Sequence, residues 1–105
     1  MLVRAFCEEE EMSQLIMFHA RECPHCRAMM PLVDRLEKEE NIAFEKLEVW
    51  HDEKNADLMR SYQPIIAPKC GGQLRTPTFF NPDKSDVLCG EVPYQTLKDW
   101  ALKQS

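Results

Sequence analysis

The sequence predicts an α/β fold, and three observations carry that prediction. Two short apolar segments suited to strands are each followed by a stripe of apolar residues at helical spacing, which is the rhythm of a parallel strand–helix–strand unit. Two further short strands flank turn residues near the end of the chain. A last amphipathic helix closes it. At 105 residues the chain can bury one core, so a single domain over residues 1–105 is expected.

The first strand is Leu15-Ile16-Met17-Phe18, an apolar run short enough to be a buried strand. It follows the acidic run Glu8 to Glu11, read as a solvated turn, and Leu2 to Phe6 is either another strand or an anchored tail. A helix from about Pro24 to Glu39 follows, with apolar residues at 29, 32, 33 and 36. Pro24 suits its first turn, where the missing N–H is not needed, whereas Pro31 falls in the interior and should kink it. Met29 and Met30 read as core filler.

Ile42 to Trp50 carries Ile, Phe, Leu, Val and Trp among charged residues and reads as a strand with partly exposed ends. Asp52 is a suitable N-cap for a helix carrying Ala56, Leu58, Met59 and Tyr62. From Gln63 to Thr76, Pro64, Pro68, Gly71 and Gly72 interrupt any regular pattern, so a long loop is expected. Thr78-Phe79-Phe80 and Val87-Leu88-Cys89 flank Asn81-Pro82-Asp83 and predict a hairpin. The terminal helix opens near Pro93 and turns Leu97, Trp100 and Ala101 inward.

Composition narrows the function. Hydrophobic residues make up 44% and charged residues 30%, and a net charge of −5 without a Lys/Arg cluster argues against nucleic acid or an anionic membrane as partner. No apolar stretch approaches a membrane span, and no basic segment with an apolar signal core opens the chain, so a soluble, cytoplasmic protein is expected. The five cysteines, at 7, 23, 26, 70 and 89, are odd in number and unevenly spaced, which suits reactive or metal-binding thiols better than a disulfide scaffold.

The chemistry concentrates in Cys23-Pro24-His25-Cys26, where a strand gives way to a helix. At the N-cap, Cys23 can accept first-turn N–H groups and sees the positive end of the helix dipole, so its thiolate is favoured. His25 adds an imidazole between the sulfurs, and Arg21 and Arg27 lie close in sequence. Cys26, one turn on, is better shielded and can close a disulfide with Cys23. The same pair can serve a zinc or iron–sulfur site, for which Cys70 with Cys89 or His51 are the available further ligands. Cys7 and Cys89 read as buried small hydrophobes. Cys70 is either a third thiol that reaches the site or an unpaired loop cysteine.

On these residues the chain resembles the thioredoxin-like superfamily across most of its length. The Cys-x-x-Cys motif stands at a strand-to-helix junction, Pro31 matches the proline inside the active-site helix, and Thr76-Pro77-Thr78 resembles the cis-proline segment. The resemblance implies a central mixed β-sheet flanked by helices. It implies a thiol–disulfide oxidoreductase in which Cys23, Pro24, His25 and Cys26 form the catalytic motif and Thr76 and Pro77 bind substrate. It implies no cofactor, no metal, a monomer, and protein thiol or disulfide substrates together with a reductase or oxidant. A thioredoxin-like domain that only binds partners is the remaining alternative.

Two positions depart from the pattern. Glu22 stands where thioredoxins carry a tryptophan, and Met17 where they carry a buried aspartate, so Glu48 or His19 are the candidates to activate Cys26. Lys46 matches a lysine often found near the site. The Pro-His dipeptide resembles that of bacterial periplasmic disulfide oxidants, which carry an inserted helical domain this chain lacks. The glycine pair with which glutaredoxins bind glutathione is missing, and only Cys89-Gly90-Glu91 stands near that place.

Overall fold

The computed structural model describes residues 15–104. The segment Leu2 to Phe6, Cys7 and the acidic run Glu8 to Glu11 lie outside the described residues. In order, the elements are β1 (Leu15–His19), α1 (Pro24–Glu40), β2 (Phe44–Glu48), α2 (Glu53–Ser61), α3 (Gln63–Ile66), a 3-10 turn (Ala67–Cys70), β3 (Thr78–Asn81), β4 (Asp86–Cys89) and α4 (Tyr94–Lys103).

The four strands form one mixed sheet in the order β2-β1-β3-β4. β1 runs parallel to β2, pairing Leu15 with Phe44 and His19 with Glu48, and antiparallel to β3, pairing Met17 with Phe79. β3 and β4 are antiparallel, as a hairpin requires.

β1 is central, and its unbroken apolar run reflects burial on both faces. Leu15 and Met17 face Met29, Val33 and Leu36 of α1 and Leu97, Trp100 and Ala101 of α4. Ile16 and Phe18 face the other way, toward Met59 of α2 and Ile66 of α3. Adjacent Phe79 and Phe80 on β3 divide between the same two layers, Phe79 with an edge-on contact to Phe44 at 5.9 Å and Phe80 against Tyr62 at 4.7 Å. Full burial of each such side chain contributes roughly 1.5–3 kcal/mol.

Helix α1 forms because Cys26, Met29, Val33 and Leu36 fall on one buried face, and it ends at Asn41, whose left-handed φ of 55° suits a C-terminal cap. Pro31 lies inside it and withholds one N–H from the helical ladder. Asp52 caps α2 by accepting the N–H groups of Lys54 and Asn55. At the far end of the molecule, buried Asn81 donates to Gln104 (2.9 Å), which donates in turn to Asp86 (2.9 Å), tying α4 to the hairpin.

Three expectations change. Strand β2 is confined to Phe44–Glu48, shorter than Ile42 to Trp50, and Trp50 stands 57% exposed. The expected loop after Gln63 instead begins with α3 and the 3-10 turn, because Pro64 and Pro68 occupy first-turn positions, where proline starts a helix instead of breaking one. Cys70 is neither an unpaired loop thiol nor a third reactive one, and Cys89 is no simple core residue, because the two are joined by a disulfide. None of the described helices is long and apolar enough to cross a membrane.

The disulfide closes a loop between cysteines 19 residues apart, a loop that contains β3 and the approach to it. Replacing both partners, Cys70→Ser with Cys89→Ser, should lower unfolding stability by about 3 kcal/mol through the gain in freedom of the unfolded chain. Urea unfolding followed by circular dichroism measures this, and an unchanged midpoint would show that the bond contributes nothing to the fold.

Candidate active site

The site lies at the end of the sheet where β1 hands over to α1. The turn is short and tightly bonded: the Cys23 N–H donates to the Ala20 carbonyl at 3.2 Å, and the Arg27 N–H to the Cys23 carbonyl at 3.1 Å. Ala20, Cys23 and Cys26 form a small buried cluster of their own. Across the edge of the sheet, the Val49 N–H donates to the His19 carbonyl at 2.8 Å, extending the parallel pairing to the brink of the turn.

Both thiols are free, and both are buried. Cys23 is the N-cap residue of α1, with extended backbone, and Pro24 follows in the first turn. As a neutral thiol Cys23 makes no cap bond; its S–H is directed at the Thr76 carbonyl, 3.6 Å away. Burial works against its thiolate, but the Thr76 side chain, the first-turn N–H groups of Cys26 and His25, and the Cys26 thiol outweigh it and hold the pKa below the ordinary thiol value. Cys26 behaves oppositely. Burial pushes it up to about 11, assisted by the neighbouring Cys23 and only partly offset by the Ala20 N–H, which reaches its sulfur at 3.5 Å. Two thiols three residues apart are thus split into one that ionises readily and one that holds its proton.

The second half of the chain supplies the facing wall. Thr76 and Pro77 precede β3, and the bond between them is cis. The Pro77 carbonyl accepts the Gly90 N–H at 2.8 Å, and the Thr78 hydroxyl donates to the Arg75 carbonyl at 2.7 Å. A groove of about 910 Å³ opens between these segments and α1, with His25 and Leu32 on one side and Arg75, Thr76, Glu91 and Val92 on the other. The Arg75 Nε donates to the Cys70 carbonyl at 3.0 Å, so the disulfide-bonded turn also holds the groove's guanidinium.

Two histidine–carboxylate pairs flank the cysteines. His25 Nδ1 lies 2.8 Å from Glu91 Oε1, and this bond, with the nearby Cys23 sulfur, raises the His25 pKa above its usual value. His51 Nε2 lies 2.7 Å from Glu22 Oε1, the side chain that stands immediately before Cys23. That bond to His51 is the main reason the Glu22 carboxyl sits below its usual range.

Cys23, Pro24, His25, Cys26, Thr76 and Pro77 therefore meet in one place. Of the two candidates for activating Cys26, Glu48 is engaged by backbone N–H groups, those of Arg21 (3.1 Å) and His51 (2.7 Å), and His19 is held below its usual pKa chiefly by burial. Met17 is fully buried in the core under α1, and Lys46 pairs with Glu37 at 2.9 Å. Cys70 and Cys89, weighed as further ligands for a metal, are consumed by their own bond, and among the described residues no cluster of three or more His, Cys, Asp or Glu side chains is arranged to hold a metal ion. The pair of Glu91 with His25 was not legible beforehand, because 66 residues separate the partners and no local pattern links them.

No protein-family model and no curated protein sequence matches the chain. Among solved structures it is similar to a thioredoxin from Nicotiana alata, with a TM-score of 0.61 and 20% sequence identity, covering 88% of this chain and 74% of that one. The fold is thioredoxin-like. At that identity the likeness speaks for the thioredoxin-like architecture, a mixed sheet flanked by helices, and the chemistry has to be argued from this chain's own residues.

The split between the thiols gives a direct test. Thiolate absorbance followed against pH should show Cys23 titrating below the ordinary thiol range in Cys26→Ala, and Cys26 titrating well above it in the wild type. Equal midpoints for the two sulfurs would contradict the geometry described.

Proposed function

We propose that the chain is a thiol–disulfide oxidoreductase that exchanges a Cys23–Cys26 dithiol or disulfide with protein substrates. The observation that carries this reading is the placement of two buried free thiols at the head of α1, Cys23 at the N-cap with the Thr76 carbonyl 3.6 Å from its sulfur and Cys26 one turn behind, beside a groove that Thr76 lines. The thioredoxin-like fold supports it.

In the reducing direction the Cys23 thiolate attacks one sulfur of a substrate disulfide. A mixed disulfide forms, and the other substrate sulfur departs as a thiolate. Cys26 then gives up its proton, to which the departing thiolate is a suitable acceptor, and attacks the Cys23 sulfur. The substrate leaves with both cysteines reduced, and the chain keeps a Cys23–Cys26 disulfide. Thr76 pairs with the extended substrate backbone in the manner of strand addition, and Pro77 beside it offers no N–H to compete. The exchange needs no cofactor. The unit we propose is one domain spanning residues 1–105, acting as a monomer and regenerated by a separate dithiol reductant or oxidant.

His25 shapes the direction of flux. A positive imidazole beside Cys23 stabilises the reduced thiolate and so raises the reduction potential, making the pair more oxidising than a typical thioredoxin. Equilibration with glutathione should return a potential above the thioredoxin level of roughly −270 mV, and a value at or below that level contradicts this role for His25.

Turnover in insulin reduction tests the function itself. The wild type should catalyse it, and Cys23→Ser should abolish it. Cys26→Ser should accumulate mixed disulfides with client proteins that dithiothreitol releases. A wild type inactive toward insulin and other protein disulfides, with no adducts in Cys26→Ser, would leave a partner-binding domain as the better reading.

A further inference from the structure

We propose that Glu91 is a positioning residue for the redox sulfur: it clamps the His25 ring through Nδ1, so that the positive form of the imidazole stands beside Cys23. The inference rests on the proposed role of Cys23 as the reacting thiol, and it concerns a residue from the opposite wall of the groove.

The clamp is built into the backbone. Glu91 follows Gly90, whose φ of +84° lies in the region that other residues seldom adopt, and this bend carries the chain out of β4 toward α1. Its neighbours are fixed on both sides. The Gly90 N–H is held by the Pro77 carbonyl at 2.8 Å, and the Val92 N–H meets the Met29 sulfur of α1 at 3.5 Å. Glu91 is thereby placed between two anchors, one on the segment before β3 and one on α1. From there its carboxylate reaches His25 Nδ1 at 2.8 Å. His25 is 65% exposed in its side chain, so without this partner nothing among its described contacts would hold the ring in one orientation.

Among the described residues, charged groups approach this ring from three segments. Cys23 lies on its own turn, Glu91 reaches it from the segment after β4, and Arg75 borders the same groove from the segment before β3, its Nε engaged by the Cys70 carbonyl. The hydrogen bond to Glu91 is the leading cause of the raised His25 pKa, and the Cys23 charge adds to it. An ionised Cys23 and a protonated His25 therefore favour each other, and Glu91 extends that state upward in pH.

The arrangement makes an unusual demand on a variant, because Glu91 acts on Cys23 in two opposed ways. Its own negative charge disfavours the thiolate, while the positive ring it retains favours it. In Glu91→Gln the ring is still protonated at low pH, so the loss of the anion leaves Cys23 as reactive or more so. Near neutral pH the ring has lost its proton early, and Cys23 loses its cation.

The test is alkylation of Cys23 by iodoacetamide across pH 5–8, read on the Cys23 peptide by mass spectrometry with the Cys23–Cys26 pair reduced. The ratio of wild-type to Glu91→Gln rates should be one or below near pH 5.5 and rise to about two- to threefold near pH 7, the scale of a solvent-exposed ion pair. In a His25→Gln background the same change should have no pH-dependent effect. The His25 ring protons, followed by NMR, should titrate at lower pH in Glu91→Gln, with an unchanged unfolding midpoint. A ratio independent of pH, an effect that persists without His25, or an unmoved His25 titration would overturn the proposal. Alkylation requires no client, so failure of insulin reduction with this pH dependence intact would count against the oxidoreductase reading alone.

Discussion

The constraint on which the site depends is the turn between β1 and α1, where a buried central strand must deliver its chain directly into a helix. Ala20 is 1% exposed at this point, and its N–H goes to the Cys26 sulfur while its carbonyl takes the Cys23 N–H. A larger residue at Ala20 would meet the packed cluster of the two cysteines. The consequence is chemical. One cysteine falls at the N-cap, within reach of first-turn N–H groups, and the other falls one turn into the helix and behind it. Position alone separates two identical side chains into one whose thiolate is favoured and one that holds its proton.

The facing wall is stabilised from the other end of the chain. Thr78 pairs with Cys89 across the hairpin, Gly90 bonds Pro77, and the Cys70 carbonyl holds Arg75. The Cys70–Cys89 disulfide therefore encloses the segment that borders the groove, tying both of its flanks to one covalent loop. Its pairing was hidden in the sequence because two cysteines 19 residues apart, one after a proline-rich stretch and one on a strand, carry no spacing signature of their own. A bond of this kind persists in an oxidising compartment and is open to reduction in a reducing one, so the expectation of a cytoplasmic protein is not strengthened by it.

Legibility elsewhere followed periodicity. Helix α1 and helix α4 were readable because Met29, Val33 and Leu36, and Leu97, Trp100 and Ala101, repeat at helical spacing and pack on a single layer. Strand β1 was readable because both of its faces are buried. The differences are local: Pro64 and Pro68, which interrupt the periodic pattern, begin short helical turns, and Ile42, Val49 and Trp50 fall outside a strand confined to Phe44–Glu48. The two cysteines, Thr76 and Pro77 were visible as a motif and a segment, whereas the pairs His25–Glu91 and His51–Glu22 join residues 66 and 29 positions apart and exist only in the folded chain.

With Met17 at the position where the resemblance implies a buried carboxylate, the proposed exchange asks a thiol held at about 11 to attack. Part of what holds it there is the charge of Cys23 itself, alongside burial. A mixed disulfide at Cys23, the intermediate of the proposed exchange, would consume that charge, because the sulfur becomes neutral and can no longer oppose a second anion beside it. The Ala20 N–H, already directed at the Cys26 sulfur, then acts without that opposition. In the exchange proposed above, forming the first bond thus removes one of the barriers to the second. Met17 meanwhile serves the core: fully buried beneath α1, it keeps an ionisable group out of the site and fills the layer against Met29 and Phe79.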